Sequence, residues 1–189
     1  MKTATLRHVD TLIARLSDAV RLGDPEAITH RIKDELEEFA AGGVEVPQRF
    51  RGTRPDSYCR RLLHRDAELD WSAVVMTWGP GQHTALHDHA GIWCVEGVIE
   101  GEMEVTRFEL MEKEDDLCRF EERGHAYAGV GSAGALIPPY EYHVLGNAHP
   151  DRVALTLHVY GGEMDHCGIF EPLGGGRFRR RQHALAYDA

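Results

Sequence analysis

The 189-residue sequence lacks any apolar run of the length that spans a membrane. Its first ten residues, MKTATLRHVD, also lack the apolar segment of a signal peptide. With 42% hydrophobic and 28% charged residues, the composition is that of one ordinary globular domain. We therefore expect a cytoplasmic protein with no membrane partner.

Basic residues are outnumbered by acidic ones, 21 against 31, which gives a formal net charge of −10. Nucleic acids and anionic membranes are bound mainly by basic surfaces, so this balance argues against a nucleic-acid partner. The one basic run, GRFRRRQH at residues 176–183, is expected to be an exposed edge or tail.

Cysteine pairs of the CxxC type are missing, although the chain has four cysteines, Cys59, Cys94, Cys118 and Cys167. Neither a zinc knuckle nor a disulfide framework is therefore indicated. A dinucleotide fingerprint is missing too, and no organic cofactor is expected. Histidine, by contrast, is abundant, with 12 residues, which is the first indication of metal chemistry.

Two helices are predicted in residues 1–45. The first carries apolar residues at helical spacing from Leu6 to Val20 and ends at Gly23. Asp24 and Pro25 then form an N-cap followed by proline at the first helical position, and the second helix stops at the glycines of 42–43.

From about residue 55 the pattern changes to short runs rich in Val, Ile, Thr and aromatic residues, broken by glycine and proline. Closely spaced short strands of this kind predict an antiparallel barrel or sandwich rather than alternating strands and helices. We expect residues 46–189 to form this β domain and the whole chain to be one compact unit.

The segment HDHAGIWCVEGVIEG at residues 87–101 holds the first candidate metal ligands. Alternate side chains of a strand share a face, so His87 and His89 point to one side and Asp88 points away. Two imidazoles on one face can ligate a single ion, and a third ligand must come from elsewhere in the chain.

The pattern around these histidines resembles the cupin superfamily, in which metal ligands come from two separated motifs. The matching residues are Gly81, His87, His89 and Gly101 of the first motif, and Pro138, His143 and Asn147 of the second. Tyr140 replaces a glycine of the second motif. The resemblance implies an all-β cupin fold, a small antiparallel barrel or jelly roll behind the two helices. It also implies that His143 is the third metal ligand.

Cys94 stands where the first cupin motif has a glutamate. A site without that carboxylate has three neutral imidazoles and leaves about three positions of an octahedral shell open. It keeps the full charge of a divalent ion, which suits an anionic, chelating substrate together with dioxygen. We therefore expect a metal site with no protein carboxylate.

This departure is similar to the cysteine dioxygenase family within the cupins, and the resemblance extends from about Tyr58 to Phe170. The further matching segments are Tyr58-Cys59-Arg60, Trp78-Gly79-Pro80-Gly81, Thr156-Leu157-His158-Val159-Tyr160 and Cys167. The resemblance implies that Arg60 binds a substrate carboxylate, because its guanidinium is a two-pronged donor.

The same resemblance implies that Tyr160 and His158 are catalytic and form a hydrogen-bonded row with Thr156. Tyr58 and Cys167 are expected at the mouth of the pocket. In animal members of the family, a cysteine at the position of Cys94 is joined by a thioether to the tyrosine matching Tyr160. For this chain both a thioether and a buried free thiol stay open.

The implied function is a mononuclear non-haem iron(II) thiol dioxygenase that oxidises L-cysteine with O2 to cysteine sulfinic acid. Another carboxylated thiol, 3-mercaptopropionate or mercaptosuccinate, is an alternative substrate, and Arg61 or His64 could favour the dianion. A non-oxidative cupin metalloenzyme holding zinc or manganese, or a small-molecule binding module, are alternatives of other classes. A monomer or a small homo-oligomer is expected.

Overall fold

The two predicted helices open the chain. The structure, a computed structural model, describes residues 2–43 and 46–189, with side chains described from residue 9 onward. Helix α1 covers Lys2–Val20 and helix α2 covers Pro25–Ala41. The Asp24 side chain accepts a hydrogen bond from the Ala27 amide at 2.9 Å, which confirms the predicted cap. The predicted domain boundary at residue 45 lies outside the described residues.

The rest of the described chain is β structure after one turn of 3-10 helix at Gln48–Phe50. The strands are β1 (Cys59–Asp66), β2 (Trp71–Trp78), β3 (Leu86–His87), β4 (Cys94–Glu100), β5 (Glu102–Glu114), β6 (Leu117–Gly129), β7 (Ala133–Leu136), β8 (His143–Asn147), β9 (Ala154–Tyr160), β10 (His166–Gly174) and β11 (Arg177–Ala184).

These strands form two antiparallel sheets. The first has five strands in the order β1-β2-β9-β4-β7, and the second closes in the order β10-β11-β6-β5-β8-β3. The predicted class, an all-β cupin fold with a two-helix prefix, is confirmed. None of the helices within the described ranges is long and apolar enough to cross a bilayer.

One face of the five-stranded sheet packs against the two helices. Leu16 and Ile32 of the helices are fully buried in the same cluster as Val159 of β9. A side chain at Gly97 of β4 would lie 3.1 Å from the Cβ of Leu36, so glycine allows α2 to approach the sheet closely. The helices therefore share a core with the sheet.

The opposite face of this sheet turns toward the second sheet and carries polar residues. The register pairs Glu96 of β4 with His158 of β9, and Cys94 with Tyr160. Because side chains alternate along a strand, these four residues share the inner face. The space between the two sheets is therefore where a polar site can be built.

The basic run lies in β11, which pairs with both β10 and β6. Only residues 177–179 pair with β6, so this end of the run lies inside the second sheet and is not an edge, whereas the side chains of the run are mostly exposed, as expected. Its arginines are paired with acidic groups: Arg181 with Glu171 at 2.6 Å and Arg180 with Asp88 at 3.2 Å.

Candidate metal centre

The three predicted histidine ligands converge between the sheets. His87 of β3 is the register partner of His143 of β8, and His89 follows in the turn after β3. The ring centroids are 4.5 Å apart for His87 and His143, and 5.1 Å apart for each of the other two pairs. One nitrogen of each ring lies within 4.8 Å of the others, close enough to share one ion.

Backbone carbonyls orient two of these rings. The Nδ1 of His87 lies 3.0 Å from the Ala85 carbonyl, and that of His143 lies 2.9 Å from the Glu141 carbonyl. Nδ1 therefore carries the proton and donates it, which leaves the Nε2 lone pair free to face the site. Within the described ranges, the buried His143 Nε2 and both nitrogens of His89 have no hydrogen-bond partner. Unpartnered buried lone pairs of this kind fit a metal ion.

Burial keeps two of the rings neutral. Burial, reinforced by the neighbouring His143, lowers the pKa of His87 to about 3. Burial also lowers the pKa of His89 well below its ordinary value. A neutral imidazole is the form that ligates, so both rings are ready to bind an ion at neutral pH.

Glu96 brings a carboxylate into the site, which the resemblance does not imply. Its Oε1 lies 3.3 Å from the Nε2 of His143 and 3.9 Å from the Nε2 of His89. A carboxylate therefore lies beside the three imidazoles. Glu96 follows Cys94 by two residues on β4, and alternation along the strand turns both side chains inward. The alternation of side chains along β4 is thus a sequence signal that predicts where the Glu96 side chain lies.

The Glu96 side chain is only 12% exposed. Burial alone would raise its pKa, but His143 and His158 more than offset that effect and hold the pKa well below its ordinary value. Burial likewise disfavours the charged form of His143, and the adjacent carboxylate raises its pKa instead. The site therefore contains a negative charge at neutral pH.

Asp88 points away from the histidines, as predicted from strand alternation. Its Oδ1 accepts hydrogen bonds from the amides of Gly168 at 2.7 Å and Ala90 at 3.1 Å. Its Oδ2 accepts from Arg180 at 3.2 Å. Asp88 thus attaches the histidine segment to β10 and β11 and does not ligate.

The predicted row of polar residues lies on β9. The indole of Trp78, which can only donate, donates to the hydroxyl of Thr156 at 2.9 Å. That hydroxyl keeps its own proton for the Nε2 of His158, 2.7 Å away. Neutral His158 then carries its proton on Nδ1, which lies 3.2 Å from the Oε1 of Glu96.

Cys94 and Tyr160 are brought together as direct cross-strand partners. Both are buried, and burial raises the pKa of the thiol and of the phenol well above their ordinary values. A hydrogen bond from Tyr160 partly opposes the shift of the thiol. Both groups are therefore protonated at neutral pH.

A cavity of about 260 Å³ leads to the histidines and Glu96. Arg60, Tyr58, Tyr160 and Cys167 line it, together with His158. This volume suits a ligand of amino-acid size. Thr156 lies behind His158 and contributes through the hydrogen bond to that ring.

Arg60 is 5% exposed and is held by two backbone carbonyls. Its Nη2 donates to Met164 at 2.9 Å and its Nη1 to Ala186 at 3.4 Å. Its Nε is buried and has no partner in the described part of the chain. The guanidinium thus retains free donors beside the cavity.

Tyr58 and Cys167 are more buried than a pocket mouth requires. Tyr58 stacks on Trp78 with ring centroids 4.4 Å apart. Cys167 is 4% exposed, and burial raises its pKa to about 11. Both residues therefore shape the wall of the cavity.

The segment after β11 supplies part of the site that no motif marks. Leu185 lines the cavity, and the ring of Tyr187 lies 5.3 Å from the guanidinium carbon of Arg60. The Asp188 carboxylate accepts a hydrogen bond from the Arg60 amide at 2.8 Å. These contacts join residues over 100 positions apart, and no local pattern predicts them.

The chain is similar to known proteins over most of its length. The model of the family described as cysteine dioxygenase type I matches residues 36–172. Cysteine dioxygenase type 1 of Homo sapiens is 21% identical over 185 residues, which cover 93% of this chain and 83% of that protein. The protein of the same name from Rattus norvegicus is 23% identical over 122 residues, covering 62% of this chain and 58% of that protein. Among solved structures, the Schizosaccharomyces pombe Cnp3 cupin domain aligns with a TM-score of 0.46 and 11% identity, over 64% of this chain and 69% of that chain.

Proposed function

Because the chain belongs to the cysteine dioxygenase type I family, we propose that it is a mononuclear non-haem iron(II) thiol dioxygenase. The observation that carries the proposal is the convergence of His87, His89 and His143 on a cavity that also contains a buried arginine. Imidazole ligands suit iron, and buried arginine suits a carboxylate.

The proposed reaction adds both atoms of O2 to the sulfur of a thiol, RSH + O2 giving RSO2H. Sulfur loses four electrons and dioxygen gains them, so no organic cofactor or external reductant is needed. Bound iron would supply the open coordination positions at which thiol and dioxygen meet. The residues of the chain position the substrate and control its protons.

Arg60 is proposed to bind the substrate carboxylate. Its guanidinium is already fixed by Met164 and Ala186, and its remaining donors are free. Tyr160 is proposed to donate a second hydrogen bond, because its raised pKa keeps the phenol protonated. Together they would orient the thiol group toward the histidines.

His158 is proposed to hold a proton beside the reacting sulfur. Thr156 fixes its ring at 2.7 Å, and Trp78 in turn fixes Thr156. A ring held in this way presents its Nδ1 toward the centre of the site, next to Glu96. Such positioned groups are the means by which a site steers protons.

L-Cysteine, giving cysteine sulfinic acid, is the proposed substrate. Mercaptosuccinate would need a second cation for its second carboxylate. Arg61, however, donates to the Gly52 carbonyl at 2.9 Å, and the ring of His64 lies 5.0 Å from that of Trp71. These contacts favour a substrate with one carboxylate. 3-Mercaptopropionate has one as well and remains the alternative.

A thioether between Cys94 and Tyr160 is proposed as a modification of this site, with a buried free thiol as the alternative. Its formation would remove the thiol hydrogen and one ring hydrogen, with the dioxygen of the proposed reaction as the two-electron oxidant. Direct cross-strand pairing of the two residues supports it. Intact-mass measurement would then give a value lower than the sequence mass by two hydrogen atoms. Cys94→Ala should abolish this difference, and an unmodified mass in the active protein would exclude the thioether.

Anaerobic reconstitution with iron(II), followed by oxygen uptake with four thiols, tests the function. We expect uptake with L-cysteine, little with cysteamine, which lacks a carboxylate, and intermediate values with 3-mercaptopropionate and mercaptosuccinate. Arg60→Gln should raise KM for L-cysteine, whereas Arg61→Gln serves as the matched control. No uptake with any carboxylated thiol would refute the enzyme assignment, and equal uptake with cysteamine would refute the role of Arg60.

Three further expectations stay predictions: the cytoplasmic location, the state of a monomer or small homo-oligomer, and the division of the chain into residues 1–45 and 46–189. Gel filtration of the reconstituted protein tests the second.

A further inference from the structure

We infer that Glu96 is a fourth protein ligand of the metal ion, beside His87, His89 and His143. The inference rests on the metal site of the proposed function, but not on its oxygen chemistry. It follows from three contacts of the Glu96 carboxylate with histidine nitrogens and from the kinds of side chain that surround Glu96.

The spacing of the donor atoms fits an ion that Glu96 shares with His89 and His143. Nitrogen and oxygen ligands lie about 2.0–2.2 Å from a metal ion such as zinc, so adjacent donors are about 3.0–3.5 Å apart. The Oε1 of Glu96 is 3.3 Å from the Nε2 of His143 and 3.9 Å from the Nε2 of His89. The first distance already has this value, and a small side-chain adjustment brings the second to it.

The neighbours of Glu96 are imidazoles and a thiol, with no permanent cation. A buried carboxylate is costly unless a cation compensates its charge. Its Oε1 lies near nitrogens of His89, His143 and His158 and 3.9 Å from the Cys94 thiol. In the part of the chain that the structure describes, no lysine or arginine forms an ion pair with it. A divalent ion at the histidines would compensate the charge.

A competing role is that Glu96 only positions His158 through its Nδ1, 3.2 Å away. Removing a positioning carboxylate would also weaken metal binding, by about 10–100-fold. The two roles differ in the distance from the carboxylate to the ion, which can be measured without turnover.

Four protein ligands change what the site can accept. A six-coordinate ion with three imidazoles and one carboxylate has two positions left, and the centre has one positive charge fewer than with imidazoles alone. Those two positions would suffice for the thiol and dioxygen, so the substrate would be recognised by its sulfur and by its carboxylate, without its amine.

Titration of the apoprotein with Zn²⁺, in competition with a chelating dye, tests whether Glu96 contributes to metal binding. Glu96→Gln keeps the size of the side chain and should raise the Kd for Zn²⁺ by about tenfold or more. Glu100→Gln is the matched control on the same strand, because its carboxylate pairs with Arg51 at 2.8 Å, away from the histidines. The Kd of the Glu100→Gln variant for Zn²⁺ should stay within about twofold of the Kd of the unmodified chain. Equal Kd values for Glu96→Gln and Glu100→Gln would overturn the inference.

A zinc-bound crystal structure of the unmodified chain gives an independent answer that does not depend on whether a variant folds. We expect a Glu96 oxygen at about 2.0–2.2 Å from the ion. A carboxylate well beyond that distance would overturn the inference. Zinc has no redox chemistry, so a failure of the oxygen-uptake assay would refute the proposed function and leave this result unaffected.

Discussion

Replacing Asp88 should weaken both the fold and the metal site, because this carboxylate joins the histidine segment to the last two strands. In Asp88→Ala, the buried Gly168 amide loses the acceptor that lies 2.7 Å away. A buried donor left unpaired costs about 1–3 kcal/mol. The lost ion pair with Arg180, whose side chain is 35% exposed, adds less than about 1 kcal/mol after allowance for solvent screening.

These contributions lower the free energy of unfolding by about 3 kcal/mol, which for a chain of this size lowers Tm by about 6–12 °C. Urea denaturation of the apoprotein measures the first value directly and excludes stabilisation by bound metal. Zinc affinity should fall by about tenfold or more, because Asp88 fixes the backbone between His87 and His89.

Asp151→Ala is the control, since its exposed carboxylate lies 3.7 Å from Arg152 and pairs with nothing buried. It should change the free energy of unfolding by less than about 0.5 kcal/mol. If Asp88→Ala proved as stable as Asp151→Ala, the reasoning from the Gly168 amide would be wrong.

Three other predictions concern separate parts of the molecule. Ile32→Ala should lower the free energy of unfolding by about 2–5 kcal/mol and leave zinc affinity unchanged, because this fully buried side chain packs on the far face of the sheet; altered affinity would contradict that separation. Gly161→Ala should destabilise by about 1–3 kcal/mol, since the new Cβ would lie 2.3 Å from the indole nitrogen of Trp93; an unchanged denaturation midpoint would contradict this. Cys167 should be alkylated about 100-fold more slowly than an ordinary thiol, because burial raises its pKa to about 11. The favoured protonated thiol also means that stability falls as pH rises from about 9 through 11, and a Cys167→Ala variant should show a smaller fall, because other buried thiols and phenols remain.

The fold and the ligands are predictable because local rules determine them. Helical spacing and the cap at Asp24 determine α2, and the two-residue spacing of His87 and His89 at the end of β3 predicts that they lie on one side. The spacing of the two motifs and the family pattern together predict that His143 lies at the same metal site. Alternation from Cys94 also places Glu96 in the site, although the family pattern directs attention to Cys94 alone.

Other parts of the site depend on tertiary contacts that leave no periodic trace in the sequence. The carbonyls of Met164 and Ala186 hold Arg60 across more than 100 residues. Likewise, residues 177–179 of the basic run lie inside the sheet because β11 pairs with β6 as well as β10, and Arg180 pairs with Asp88, which is 92 residues away. From its composition alone, such a segment is predicted to be a charged surface. Only the folded structure shows which groups its charges contact.

The fixed guanidinium of Arg60 has a consequence for the kinetics of binding. A free arginine side chain gives up about 2 kcal/mol of rotamer entropy when a ligand immobilises it. Here the Met164 and Ala186 carbonyls have already restricted those rotamers during folding. Under the proposed function, a carboxylated thiol would therefore meet a preorganised receptor, and its advantage over cysteamine should be expressed as a longer residence time with little difference in association rate.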